Sequence, residues 1–486
     1  MNVKTDRQLT DRWWTPQRQM PIPLLIALVI AAALPPVTVA ALERQSNRVV
    51  PQVTATKTPK SARDYYNRAM RRYRSQDRLG AIADFDRAIQ LQPNFVDAYN
   101  NRGIIKGLSG DNTGAIADYT RAIELNPRFF ESFANRGFAR LGTGDRAGAL
   151  ADLQAATKIK PNDPQLLVGK GIVAAQNGDK RGAIAIYDRA IQLSPSNADA
   201  YYNRGLAKLD LGDRQGAIAD YNTVIKLRPT YANAYYGRGK AKGLLGDDRG
   251  AIADYDRAIR LKPSQTSAYL NRAVAKNSLG DTPGAIGDYN RIISLNPNDA
   301  NGYFNRAVGY TQSGDRTKAI ADYTTALKLN PQLVEAYNNR GIIHFTIGNR
   351  QAAIADYSSA IRLKADYATA YLNRGIVFYS TREYRKALQD YDRAIAIEPN
   401  NAEAYFNRGV TQALLQNFKQ ALADYNTAIR LQPNYALAYG NRGILQAQLQ
   451  ANAAATKDLE TAAKIFRSQN NTAAYESVMR QLDRIK

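Results

Sequence analysis

From residue 62 onward the chain repeats one pattern of apolar and polar positions every 34 residues. In Val96–Phe129, small and apolar side chains recur three and four apart over Val96–Ser109 and again over Thr113–Leu125. That is the spacing of two helices, each with one buried face. Gly110-Asp111 separates the runs and Pro127 ends the second, so the unit reads as helix, turn, helix. An Asn-Arg-Gly triplet marks the register. It starts at Asn101, Asn135, Asn203, Asn339, Asn373, Asn407 and Asn441, becomes Asn-Arg-Ala at Asn67, Asn271 and Asn305, and is degraded at Gly169 and Gly237. Twelve copies run from 62 to 469 without a slip. The folded part is therefore one array, not the roughly three domains that length alone suggests.

Positions 1 to 34 are counted from Val96 and its equivalents. Position 20 is Ala in all twelve copies and position 8 is always Gly or Ala. Gly inside a helix costs about 0.5–1 kcal/mol relative to Ala, so its recurrence predicts close helix packing. Tyr fills most of positions 4 and 24 and reads as a packing knob. Position 15 is Gly in eight copies, from Gly110 to Gly348, which marks the turn. Position 7 is Arg and position 23 is Asp in the same eleven copies, for example Arg102 with Asp118 and Arg340 with Asp356. The fourth copy has Lys170 and Ile186 and loses both features together. The two positions are symmetric about the turn, which predicts an ion pair clipping each hairpin. Beyond the last copy, Tyr475, Val478, Met479, Leu482 and Ile485 form one apolar stripe. They predict a capping helix within 470–486 that covers the open end of the array.

This unit resembles the tetratricopeptide repeat: an aromatic at position 4, Gly or Ala at 8, Ala at 20, an aromatic at 24, Ala at 27 and Pro at 32. The resemblance spans 62–469 and departs from the family in one systematic way, Arg in place of the usual Leu at position 7. It implies an all-α fold, an α-solenoid in which helix–turn–helix hairpins wind into a right-handed superhelix. It also implies a protein–protein interaction scaffold or assembly factor rather than an enzyme.

On a helical wheel, positions 2, 6, 9 and 13 lie opposite the core positions 4, 7, 8 and 11. Stacked repeats bring them together as a concave groove. Position 6 is Asn in ten copies, although Asn is a mediocre helix former. A side-chain amide carries donors and an acceptor, the complement of a peptide bond. Asn101, Asn135, Asn203, Asn271, Asn305, Asn339, Asn373, Asn407 and Asn441 are thus candidate rungs for an extended peptide, flanked by Phe304 and Phe406 from position 5. This is similar to the asparagine ladder inside some long tetratricopeptide superhelices. The same asparagines could instead bond neighbouring repeats, and the sequence leaves both readings open.

Composition narrows the chemistry. Absence of Cys excludes thiol nucleophiles, disulfides and Cys-based zinc sites. The one His, His344, occupies position 11, filled elsewhere by Lys, Arg or Tyr, and reads as a scaffold residue. No catalytic set, metal site or cofactor is expected. The formal charge of +23 favours anionic partners (acidic protein segments, lipid headgroups or nucleic acid) without choosing among them, and the expected partners are proteins offering extended or acidic segments. Position 11 is basic in six of the first seven copies (Arg72, Lys106, Arg140, Lys208, Lys242, Lys276) and then becomes Tyr310, His344, Phe378, Gln412 and Gln446. The alternatives are a basic module for lipid headgroups or nucleic acid, and a non-catalytic subunit of a larger enzyme complex.

Residues 19–42 carry no charge and contain the apolar core Leu24–Leu34, broken by Pro35-Pro36. This stretch predicts a membrane anchor, with cleavage as a signal peptide as the second reading. Four Lys/Arg flank it on each side, so charge bias does not orient it. A short tail before a large soluble array favours export of the repeats. Residues 43–61 read as an extended linker.

Overall fold

The computed structural model describes residues 60–485, which form an all-α solenoid of 25 helices. The anchor at 19–42 and most of the linker lie outside the described residues. Among those described, no helix is long and apolar enough to cross a membrane. Helices pair as hairpins with first helices of 13 residues, such as Ala62–Arg74 and Val96–Leu108. Second helices have 14, such as Arg78–Leu91 and Asn112–Leu125. The last of these, Asn452–Ser468, runs to 17 residues and continues through Arg467, where most repeats have the proline of position 32. Thr472–Ile485 follows and buries Val478 and Leu482 against Ala463 and Phe466.

Two compact units divide the array, 60–281 and 282–485, with the boundary in the turn of the seventh repeat. Within each, the core repeats as the pattern predicts. Position 20 alanines such as Ala81, Ala115 and Ala353 have no exposed surface, and Tyr221, Tyr323 and Tyr357 of position 24 lie beside them at 0%. Position 8 shows why nothing larger than alanine stands there. A Cβ on Gly103 would sit 2.8 Å from the Tyr119 ring, and one on Gly341 would sit 2.8 Å from Tyr357. Position 15 adopts positive φ throughout: Gly110 and its equivalents lie at 80–92°, and Gln76, Arg382, Gln416 and Gln450 at 62–65°. Four repeats thus hold a side chain in the left-handed region that glycine occupies freely.

Candidate functional site

The candidate site is the face of first helices and the polar network beneath it. Arginine at position 7 holds that network together. In ten repeats it binds the position 23 carboxylate through two donors; Arg340 Nε and Nη2 donate to Asp356 at 2.9 and 2.7 Å. The seventh pair, Arg272 and Asp288, has one member in each unit. Packing carries the carboxylates into the core, where Asp356 is 5% exposed. The guanidinium also lies over the position 4 ring three residues earlier, 5.4 Å above Tyr99 for Arg102 and 5.4 Å above Tyr405 for Arg408. Position 4 is therefore a platform for arginine as well as a packing knob.

Sequence reasoning missed the third bond of this arginine. Its remaining nitrogen, Nη1, reaches into the preceding repeat and meets position 25. Arg102 donates to Asp86 at 2.6 Å, Arg306 to Asn290 at 2.7 Å, Arg374 to Ser358 at 2.9 Å and Arg408 to Asp392 at 2.7 Å. One side chain thus closes its own hairpin and joins it to the previous one. A sequence signal was present: position 25 holds a short oxygen acceptor before nearly every arginine, and the longer Gln154 stands before Lys170. Hydrogen bonds donated to Asp220 and Asp188 hold the Arg204 guanidinium above its ordinary range, against the effect of burial. Five donors in a fixed fork account for arginine here, since leucine or lysine cannot make all three contacts.

The asparagines of position 6 are built into the contacts between repeats rather than lining an open groove. Asn203, Asn305, Asn339, Asn373, Asn407 and Asn441 are buried, at 3–8% exposure. Asn101 donates to Tyr66 Oη at 2.8 Å, Asn135 to Asn100 Oδ1 at 3.0 Å, Asn271 to Tyr236 Oη at 2.9 Å and Asn373 to Asn338 Oδ1 at 3.0 Å. Each of these acceptors is position 5 of the repeat before. Asn203, Asn407 and Asn441 instead donate to backbone carbonyls of their own helices. The physical reason is the close approach of successive first helices, which covers the amide and supplies an acceptor 35 residues upstream. Asn101, Asn135 and Asn271 stay half-exposed, and in the unbroken run Asn271–Asn441, expected to be the best ladder, every asparagine after Asn271 is buried.

The two flanking phenylalanines also change role. Phe406 is 4% exposed and packs on Tyr435 and Tyr425, with ring centroids 5.0 and 6.2 Å away. Phe304 is half-buried against Tyr323 at 5.9 Å. Both belong to the core because position 5 points between repeats. His344 lies beside Asp356, its Nε2 3.9 Å from the carboxylate. Burial lowers its pKa, with Asp356 opposing that shift.

Models of the tetratricopeptide repeat match residues 66–128, 107–164, 244–300 and 402–435, and a TPR repeat model matches 175–212, 208–246, 309–348, 343–381 and 377–416. Together they cover well over half of the chain. The chain belongs to the tetratricopeptide repeat family. Members of this family generally act as protein–protein interaction scaffolds. Among solved structures, the repeats are similar to MamA (28% identity, 33% of this chain and 94% of that one, TM-score 0.32). They are also similar to the APC/C hetero-tetramer Cut9–Hcn1 (15%, 87% and 97%, 0.44) and to YrrB, described as a TPR protein with an unusual peptide-binding site (22%, 38% and 95%, 0.34). At these TM-scores the likenesses carry no argument about a partner. No curated protein matches the chain. Arginine at position 7 is what sets these tetratricopeptide repeats apart from the usual pattern.

Proposed function

We propose that this protein is a non-catalytic scaffold that holds an extended segment of a partner protein along its first-helix face. The observation that carries this reading is the phase of the repeat: positions 2, 9 and 13 recur on one face at every hairpin. Position 2 is polar in eleven copies, position 9 is apolar except at Lys240, and position 13 mixes polar side chains such as the exposed Gln312 with leucines, of which Leu244 is 49% exposed. Evenly spaced groups suit a ligand whose own backbone repeats. The half-exposed Asn101, Asn135 and Asn271 contribute their second N–H, since one donor of each is already used. Each such bond adds only about 0.5–1.5 kcal/mol net, so several repeats must act together. Position 2 presents Asp97, Glu131, Asp199, Glu335 and Glu403 on this face, so the extended form of the segment rather than its acidity is what the face selects.

A photo-crosslinking residue placed at Lys240 or Gln312 tests the face against one placed at the outward Arg121 or Arg291. The expected result is partner capture from the first pair alone. Equal capture from both pairs overturns the reading.

The uncharged stretch 19–42 ties the repeats to a membrane, and the reading of an exported array rests on that sequence alone. Protease added to intact cells or spheroplasts should digest the repeats if they are exported and spare them if they face the cytoplasm.

A further inference from the structure

The two long edges of the 60–281 unit are complementary to each other. Antiparallel hairpins put every turn between first and second helix on one edge and every link to the next repeat on the other. A helix of 13 residues holds the two edges about 20 Å apart. On the turn edge of repeats five to seven, Leu211, Leu244, Leu245 and Leu279 are 43–49% exposed. Asp210, Asp213, Asp247 and Asp248 stand on this edge with Arg214 and Arg249, and Lys180 of the preceding repeat pairs with Asp210 at 2.7 Å, which leaves the carboxylates in excess by one. This edge is apolar and acidic in a chain whose net charge is +23.

The opposite edge reads Lys226-Leu227-Arg228 in repeat five, with Arg228 paired to Asp199 at 2.8 Å, and Arg260-Leu261-Lys262 in repeat six. Leu227 is 38% exposed. Repeat three carries the same signature, Lys158-Ile159-Lys160, with Ile159 at 39%. This edge is apolar and basic. The same stacking step generates both rows, so each edge presents one rung per repeat. A row of one copy can therefore meet the other row of a second copy at more than one repeat.

We propose that this protein self-associates edge to edge, the leucine–aspartate turns of repeats five and six in one copy seating on the leucine–lysine edge of another. The occupant is a second copy of this chain because the chain itself presents a basic apolar row, again with one rung per repeat. Such a contact uses different surfaces on the two partners, so it propagates into rings or filaments rather than closing as a twofold dimer. The contact shares Asp210 and Leu244, both at position 13, with the proposed peptide face, but its test reads self-association rather than partner capture.

Sedimentation velocity on the full chain in detergent tests it. The wild type should associate in a concentration-dependent way. Association should weaken at least tenfold between ~0.01 M and ~1 M salt, where the screening length falls from ~30 to ~3 Å. The variant Asp210→Lys/Asp248→Lys should be monomeric, and so should Lys226→Glu/Lys262→Glu. These are surface positions, and circular dichroism confirms that both variants stay helical. An equimolar mixture of the two variants should associate again, because the first now has two basic edges and the second two acidic ones. A wild type that stays monomeric overturns the proposal. So do variants that associate as the wild type does, which would place the contact elsewhere, and a mixture that stays monomeric.

Discussion

The first six repeats and the last five build one hairpin in two ways. In the first group the position 23 carboxylate holds a second cation from position 11: Arg72 on Asp84 at 3.0 Å, Lys106 on Asp118 at 2.9 Å, Arg140 on Asp152 at 2.8 Å and Lys242 on Asp254 at 2.8 Å. Position 19 is Gly there, and the position 11 side chain reaches its carbonyl, as Arg72 does to Gly80 at 3.0 Å. In the last five, position 11 is Tyr, His, Phe or Gln and position 19 is Lys, Ala or Gln. The aromatic is then held between two cations: Phe378 has Arg374 5.8 Å and Lys386 5.3 Å from its ring centroid. The fourth repeat, with Ala174 and Ile186, lacks both members of the extra pair.

Helix capping changes in step. In the first six repeats the position 16 aspartate accepts the N–H of the position 19 glycine at 2.8–2.9 Å. A Cβ at that glycine would meet the aspartate carboxylate at 2.0–2.2 Å. Where a side chain is present, the bond lengthens, to 3.1 Å for Asp315–Lys318 and 3.2 Å for Asn349–Ala352. In the last three repeats Glu383, Asn417 and Ala451 make no capping bond. Glycine at position 19 thus serves a tight cap and a doubly paired carboxylate together, and losing it relaxes both.

The largest test of this comparison removes arginine. Arg374→Ala leaves Asp390 buried without the cation that the described structure places on it, at an expected cost of about 3–5 kcal/mol. Arg136→Ala leaves Asp152 with Arg140 and should cost less, about 1.5–3 kcal/mol. Replacing Arg374 and Asp390 together by apolar residues should recover much of the loss. Hydrogen exchange of the affected hairpin measures each, since an array opens locally. Equal losses at Arg374 and Arg136 would remove the distinction between the groups.

Ala451→Asp should restore the missing cap of the last repeat and stabilise it by about 1 kcal/mol. No change in exchange of Asn452–Ser468 would mean that capping does not distinguish the two groups. Gln450→Gly relieves a left-handed residue at φ 62°. Against glycine's own entropy cost, a gain of about 0.5–1 kcal/mol is expected in thermal melting. Gly348→Ala should show the opposite sign.

The smallest effect is a pH dependence at His344. Its folded pKa lies below the ordinary 6.5, chiefly through burial, so the folded state favours neutral imidazole. Its contribution is fully present above 6.5 and is lost as pH falls from there through the lower folded pKa, because the unfolded chain binds the proton more readily over that window. Comparing the melting of wild type and His344→Gln from pH 7.5 to 5.5 isolates it. A wild type that gained stability on acidification relative to His344→Gln would mean that the imidazolium pairs with Asp356, as lysine does in the first group.

Much of this was legible in the sequence because it is local. Arg102 and Asp118 sit symmetrically about a turn within 16 residues of each other, and their joint loss at Lys170 and Ile186 exposes the pairing. The Nη1 bond to the preceding repeat was less legible, since its partner at position 25 varies among Asp, Asn, Thr and Ser. For Asn373 the helical wheel gives one direction that serves a groove or a neighbour equally well. Only the separation of adjacent first helices decides, and that separation is not a local property.

By itself, the sequence determined the period, the hairpin, the small residues at its crossing and the ion pair that clips it. All of these follow from side-chain size, helix periodicity and turn chemistry within one repeat. Tertiary structure decided what happens between repeats. It turned the position 7 arginine into a link between hairpins, covered most of the position 6 amides and drew Phe406 into the core. Those outcomes depend on how closely successive helices pack, which is set by the summed fit of many side chains across the interface and by no single residue in the repeat.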